Sequence, residues 1–175
     1  APARCNLAPL SGYSGHGAGM TSFHDLYQSY STDVYRFVYW LSGSSEEAED
    51  VTSETFLRAF TAGDVRAETV KAYLLTIARN LYLQRLRRDR RRGELEVEPV
   101  DPAPGPERLA EGRLELDAAL RQLRALPEPT RAALLLHVEE GLTYAEISRA
   151  LGISVGAVKV RVHRARTRLA AAREG

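Results

Sequence analysis

The sequence predicts an all-α protein: two small helical domains joined by an acidic, proline-rich linker, the second containing a helix-turn-helix. Three observations lead there. Apolar residues recur at helical spacing in long segments on both sides of the middle of the chain. Between them, residues 93–112 carry Pro99, Pro102, Pro104 and Pro106 among Glu94, Glu96, Glu98 and Asp101, a composition that blocks regular structure and stays extended. The third is Leu142–Arg166. Thr143 can cap a helix whose apolar face is Ile147, Ala150 and Leu151, and Gly152 supplies a turn in which positive φ costs little. Ser154 then caps a second helix. Val155, Val158 and Val162 turn inward there, while Lys159, Arg161, His163, Arg164, Arg166 and Arg168 lie outward. Such a unit suits a major groove, although a plain helical hairpin with a solvated basic face has the same pattern.

Length and composition bound the rest. A chain of 175 residues suits one domain or two small ones. Its formal net charge is only +1, but the charges are segregated. Arg85–Arg92 and Lys159–Arg168 are basic, Glu46–Glu54 and Glu94–Glu111 acidic, which suggests separate surfaces for separate partners. Cys5 is the only cysteine, so no internal disulfide and no cysteine-based zinc cluster is expected. His16, His24, His137 and His163 lack ligand spacing, and neither a metal nor a cofactor is expected. No apolar run approaches the ~20 residues needed to cross a bilayer, and no secretory pattern opens the chain. The expectation is a cytoplasmic protein without membrane insertion.

In order, residues 1–20 are rich in Gly, Pro, Ser and Ala and read as a disordered extension, with Met20 either a natural start or part of a native tail. The first domain spans 21–92. Its first helix, about Ser22 to Leu41, carries a core stripe of Phe23, Leu26, Tyr27, Tyr30, Val34, Phe37, Val38 and Leu41. Ser45 caps a second helix with Ala48, Val51, Thr55, Phe56, Ala59 and Phe60 inward. Glu47, Asp50, Glu54 and Arg58 share one exposed strip, readable as a partner-binding surface, a solvated face or, less readily, an acid–base or metal site. Gly63 ends that helix, and a short connector holds Asp64 and Arg66. A third helix, about Thr69 to Arg91, buries Val70, Tyr73, Leu74, Ile77, Ala78, Leu81, Leu83 and Leu86. It ends in Arg85, Arg87, Arg88, Arg90, Arg91 and Arg92, more cations than a helix C-terminus needs, which points to phosphate contact. Tyr73 and Tyr82 are placed to meet bases. The second domain, 113–175, adds a Leu-rich helix ending before Pro127 and a helix opened by Pro127-Glu-Pro129. Four helices are expected there.

Three segments in this order resemble the extracytoplasmic-function (ECF) sigma factors of bacterial RNA polymerase. Ala48-Glu-Asp-Val-Thr-Ser-Glu-Thr-Phe-Leu-Arg-Ala59 is similar to their region 2.2, and Ala72-Tyr-Leu-Leu-Thr-Ile-Ala-Arg-Asn-Leu81 with the following arginines to regions 2.3 and 2.4. Leu126-Pro-Glu-Pro-Thr-Arg131 with Tyr144–Arg166 is similar to region 4. The resemblance covers about residues 22–172, and no accessory domain is expected after Gly175. It implies a promoter-specificity subunit without catalysis. It puts core polymerase (β′ clamp and β subunits) on Glu47, Asp50, Glu54 and Phe56. It puts the −10 element, as single strand, on Asp64, Arg66, Arg79, Asn80, Arg85, Arg87 and Arg88. The −35 element, as duplex, falls to Ser154, Val155, Lys159, Arg161, His163 and Arg164. The acidic linker would lie near the polymerase cleft. Members are often held by an anti-sigma factor, which is a further implied partner.

Two other function classes are open to the residues alone. A dimeric helix-turn-helix regulator accounts for residues 113–172 but leaves the acidic helix and the arginine-ended helix unexplained. An enzyme using Asp50 and Glu54 lacks a pocket-forming Gly loop, metal ligands and any nucleophile–base pair.

Overall fold

The computed structural model describes residues 23–61, 70–93 and 110–174. Among them are seven helices and no strand: α1 (Phe23–Ser42), α2 (Ser45–Thr61), α3 (Val70–Gly93), α4 (Ala110–Arg124), α5 (Glu128–Val138), α6 (Tyr144–Leu151) and α7 (Val155–Glu174). The Gly- and Pro-rich start, Gly63 and most of the linker lie outside the described residues; α4 begins at Ala110, just before the expected linker boundary at residue 112.

In α1, Val34, Phe37, Val38 and Leu41 are buried, the spacing of one helical face. The stripe frays toward the N-terminus, where Phe23 and Tyr27 are exposed rather than core. They stack on each other, Phe23 meets Phe60 edge-on, and Tyr27 packs on Phe56 at a centroid distance of 4.9 Å. Phe60 correspondingly projects outward from the last turn of α2, against the expectation that it faces inward. The cap of α2 is Ser44 and not Ser45: Ser44 Oγ accepts the Glu47 N–H at 3.2 Å, and Ser45 is already helical. Thr52 and Thr55 can be buried because each hydroxyl donates to the carbonyl four residues back, at 2.6 Å.

Helix α3 contacts α1 and α2 on one side and α6 on another. Its buried set, Ala72, Leu74, Leu75, Ala78, Leu81 and Tyr82, is therefore wider than a single stripe. Val70 is exposed, and Tyr82 is enclosed with its hydroxyl toward the Leu41 carbonyl, so it does not meet bases. In the second unit α5 and α6 pack on α7, and α4 contacts α5 and α7. The two units also join: α1 meets α4 and α5, and their buried side chains form one continuous cluster. Each half is small, and sharing a core supplies the burial that neither has alone.

The α1–α2 turn is where α4 comes close. Gly43 adopts φ 79°, and a Cβ there would lie 3.2 Å from Arg124 Cδ. Gly43→Ala should therefore lose about 1–2 kcal/mol from the left-handed backbone alone, read as a lower urea midpoint; an unchanged midpoint would contradict the tight approach.

Candidate nucleic-acid and protein interfaces

The helix-turn-helix is built from local hydrogen bonds that the sequence dictates. Thr143 Oγ1 accepts the Glu146 N–H at 3.2 Å, and the Glu146 carboxylate accepts the Thr143 N–H at 2.8 Å, closing a capping box. Gly152 turns left-handed at φ 65°, and its N–H returns to Arg149 O and Ser148 O. Ser154 Oγ accepts the Ala157 N–H at 3.1 Å and opens α7. Val158, Val162 and Ala165 seat α7 inward. Val155, expected to do the same, lies in the first turn of α7 and is exposed.

The outward face of α7 carries Lys159, His163, Arg164, Arg166 and Arg168 exposed, with Arg161 half-buried. Arg161 and Arg164 flank a shallow cleft with Pro127, Pro129 and Val160. None of these cations takes part in an ion pair among the described residues. Unpaired guanidiniums on a rigid exposed helix are available to phosphates and base edges.

The acidic strip of α2 is more heavily paired than its sequence suggests. Glu54 holds Arg58 at 2.7 Å, and Arg85 of α3 reaches across to Asp50 at 3.0 Å and Glu54 at 3.2 Å. Arg85, implied to touch the −10 element, is thus part of the acidic face. The reason is its place on α3, on the side that packs against α2. Burial alone would lower the pKa of its guanidinium, but the two carboxylates outweigh burial and raise it. Burial raises the pKa of Glu47; Arg85 opposes that, while Asp89 and Asp50 add to it. Phe56, implied as an apolar contact for polymerase, is 0% exposed, enclosed by α1; the apolar side chains that do face outward are Leu57, 60% exposed, and Phe60, 63%. Neither was singled out from the sequence for this face, since Leu57 lies off the apolar stripe and Phe60 on it.

On α3 the implied −10 residues divide. Arg87 and Arg88 are exposed near the C-terminal end, with Arg88 3.8 Å from its neighbour Asp89. Asn80 is half-buried. Arg79 is not open: its Nε and Nη2 donate to the two oxygens of Glu128 of α5, each at 2.8 Å, with little of either side chain exposed. Asp64 and Arg66 lie outside the described residues. Among the described residues no group of three or more His, Cys, Asp and Glu could hold a metal ion, and no helix is long and apolar enough to cross a membrane.

Residues 26–92 match the family model for sigma-70 region 2, and residues 116–169 that for sigma-70 region 4. ECF RNA polymerase sigma factor SigL of Mycobacterium tuberculosis is 32% identical, over 90% of this chain and 90% of its own length. The chain belongs to the ECF RNA polymerase sigma factors. SigE of Mycolicibacterium smegmatis is 40% identical over 89% of this chain, which spans only 63% of that relative; for BldN of Streptomyces coelicolor the identity is 35% and the span 57%. Among solved structures, the sigma factor RpoE in complex with the anti-sigma factor NepR from Bartonella quintana superposes with a TM-score of 0.75, at 26% identity, over 89% of this chain and 98% of that one. CnrH in complex with the cytosolic domain of CnrY gives 0.63 at 26% identity, over 85% of each chain. Helices α1–α3 are accordingly region 2, and α4–α7 region 4.

Two measurements check this geometry. Because the folded pKa of Glu47 lies above its unfolded value, its contribution to stability is complete below the unfolded pKa and is lost as pH rises through the folded one. Glu47→Gln should therefore be more resistant to urea than the parent at neutral pH, with the gap closing in acid; a gap independent of pH would remove desolvation as the cause. Thr143→Ala should cost about 1 kcal/mol by opening the capping box, visible as faster amide exchange in α6 than in α2.

Proposed function

We propose that this chain is a promoter-specificity subunit of bacterial RNA polymerase, acting in the cytoplasm, that binds the core enzyme, recognises −10 and −35 elements and assists promoter melting. The observation that carries this reading is the basic face of α7, free of ion pairs among the described residues, present in the same chain as an acidic, apolar-edged face on α2. A lone DNA reader has no need of the second face. A subunit that must grip both polymerase and DNA needs both.

In this reading, region 4 enters the major groove at −35 with α7. Ser154 and Val155 lie at its leading end, Lys159, His163 and Arg164 on the exposed face, and Arg161 beside the cleft. Region 2 meets basic helices of the β′ clamp through Glu47, Asp50 and Glu54, which supply specificity and fast association. The apolar share of that contact passes from Phe56 to Leu57 and Phe60, which are the exposed ones. Arg87, Arg88 and Asn80, with Arg79 once freed, face the single-stranded −10 element, and Asp64 and Arg66 of the preceding connector belong to the same contact. An anti-sigma factor is a further partner this reading admits, since RpoE of Bartonella quintana is seen with one.

The decisive assay mixes the chain with sigma-free core polymerase and promoter DNA and measures specific transcript. Absence of a stable core complex would defeat the proposal. Glu54→Lys should weaken core binding at least tenfold, about 1.4 kcal/mol, while the circular dichroism spectrum is kept. Arg161→Ala should lower transcription that depends on the −35 element, by about 1–3 kcal/mol of recognition, and leave core affinity unchanged. Equal loss on templates with and without that element would remove Arg161 from base reading.

A further inference from the structure

Two residues on the outer face of α7 are poorly suited to the helix that holds them. Val160 is 46% exposed in the first half of the helix. Its branched β-carbon gives it a lower helix propensity than the Lys and Arg on either side, and burial does little to offset that here. It lies two positions from Val158 and two from Val162, both enclosed, so it points about 160° away from the core. Gly156 sits one turn earlier on the same line and is also exposed. Its φ is not positive, and a Cβ there would meet nothing nearer than Ser154 Oγ at 3.9 Å. Neither a turn nor close packing within the chain therefore calls for glycine at this place, where alanine would make the stronger helix.

The middle of the outer face is thus apolar and low, while its edges are charged. Around the helix axis, Lys159 and His163 border Val160 on one side, Arg161 and Arg164 on the other. Cations so placed draw a polyanion onto the helix, but contact with phosphate carries no sequence information. Between the phosphates, the floor of a major groove offers donors, acceptors and one apolar feature, the C5-methyl group of thymine. A valine facing that floor makes none of the hydrogen bonds and can cover the methyl. Cytosine in the same place has no methyl to cover, and its N4 amino group would face an apolar side chain without an acceptor. One turn nearer the N-terminus, the missing side chain of Gly156 lets the backbone approach the bases more closely than any other residue would. We propose that Val160 reads a thymine methyl in the −35 duplex and that Gly156 sets the depth at which α7 lies in the groove. This contact deepens the −35 reading of region 4 and rests on it. It adds a residue that carries specificity by shape and burial, without charge or hydrogen bond.

The test uses holoenzyme formed from the full chain and sigma-free core polymerase. A pool of promoter duplexes randomised at the −10 and −35 elements is selected by binding, once with the parent and once with Val160→Ala. The parent should enrich thymine at one or more −35 positions, and Val160→Ala should lose that preference while keeping its others. The enriched thymine is then replaced by deoxyuridine, which pairs identically and lacks only the methyl. Affinity of the parent should fall about fourfold, the effect of one methylene-sized group buried, and Val160→Ala should bind the two duplexes alike. Gly156→Ala should raise the midpoint of thermal unfolding, since alanine suits a helix better, yet weaken binding of the selected duplex about tenfold. No enriched −35 sequence at all would overturn the −35 reading and this contact with it. A clear −35 element at which the parent is indifferent to every deoxyuridine would overturn the methyl contact alone. So would Val160→Ala keeping the parent's thymine preference while losing affinity for core, which would make Val160 a protein contact. Undiminished DNA affinity in Gly156→Ala would remove Gly156 from the groove.

Discussion

Helix α5 has to satisfy two environments at once, and most of the structure follows from that. Ala132, Ala133, Leu134, Leu135 and Leu136 are buried in succession, so the helix has no wet side through its middle. A helix that is apolar all round belongs inside something, and here α6, α7 and α4 cover part of it while α1 covers another part. Arg131 is buried in the same stretch and survives there because its Nη1 donates at 3.3 Å to the Leu123 carbonyl near the end of α4, where a helix C-terminus favours a cation. Region 4 is thereby organised around a helix whose covering is incomplete without region 2. Any state in which the regions separate must offer α5 another neighbour.

The charges follow the same division. Those on α7 from Lys159 to Arg168 take part in no ion pair among the described residues, and suit a polyanion that arrives from outside. Those on α1 and the first half of α3 are paired across the boundary between regions, and Arg85 is paired within region 2. A cationic residue type in a sequence thus says little about availability. Its register on the helix decides whether it meets solvent, a neighbouring carboxylate or the other region.

Much of this was legible in advance, and the failures have physical causes. The caps and turn of the helix-turn-helix could be read in advance, because their determinants are local: Thr143, Gly152 and Ser154. The helical periods also placed the buried face of α1 from Val34 onward. What sequence spacing could not supply was contact between distant segments. Nothing near Arg79 announces Glu128, forty-nine positions away, and nothing near Glu140 announces Lys71. Phe60 misled for a related reason, since it keeps the apolar spacing of α2 but falls in its last turn, beyond the reach of the core. Phe56 and Leu57 are adjacent and differ by about a hundred degrees around the helix, which is enough to exchange core for surface.

The bridging of Arg85 to Asp50 and Glu54 bears on how an encounter at the acidic face would depend on ionic conditions. With Arg58 also on Glu54, the strip already holds two guanidiniums against the carboxylates of Glu47, Asp50 and Glu54. A basic helix arriving there does not discharge a strongly anionic surface into solution. It exchanges one set of cations for another, and few mobile counterions are released. Such an interface would respond weakly to added salt, whereas bare guanidiniums like those of α7 would respond steeply if set against a phosphate backbone. Grip on one partner and grip on the other would then be tunable separately by the same change in the medium.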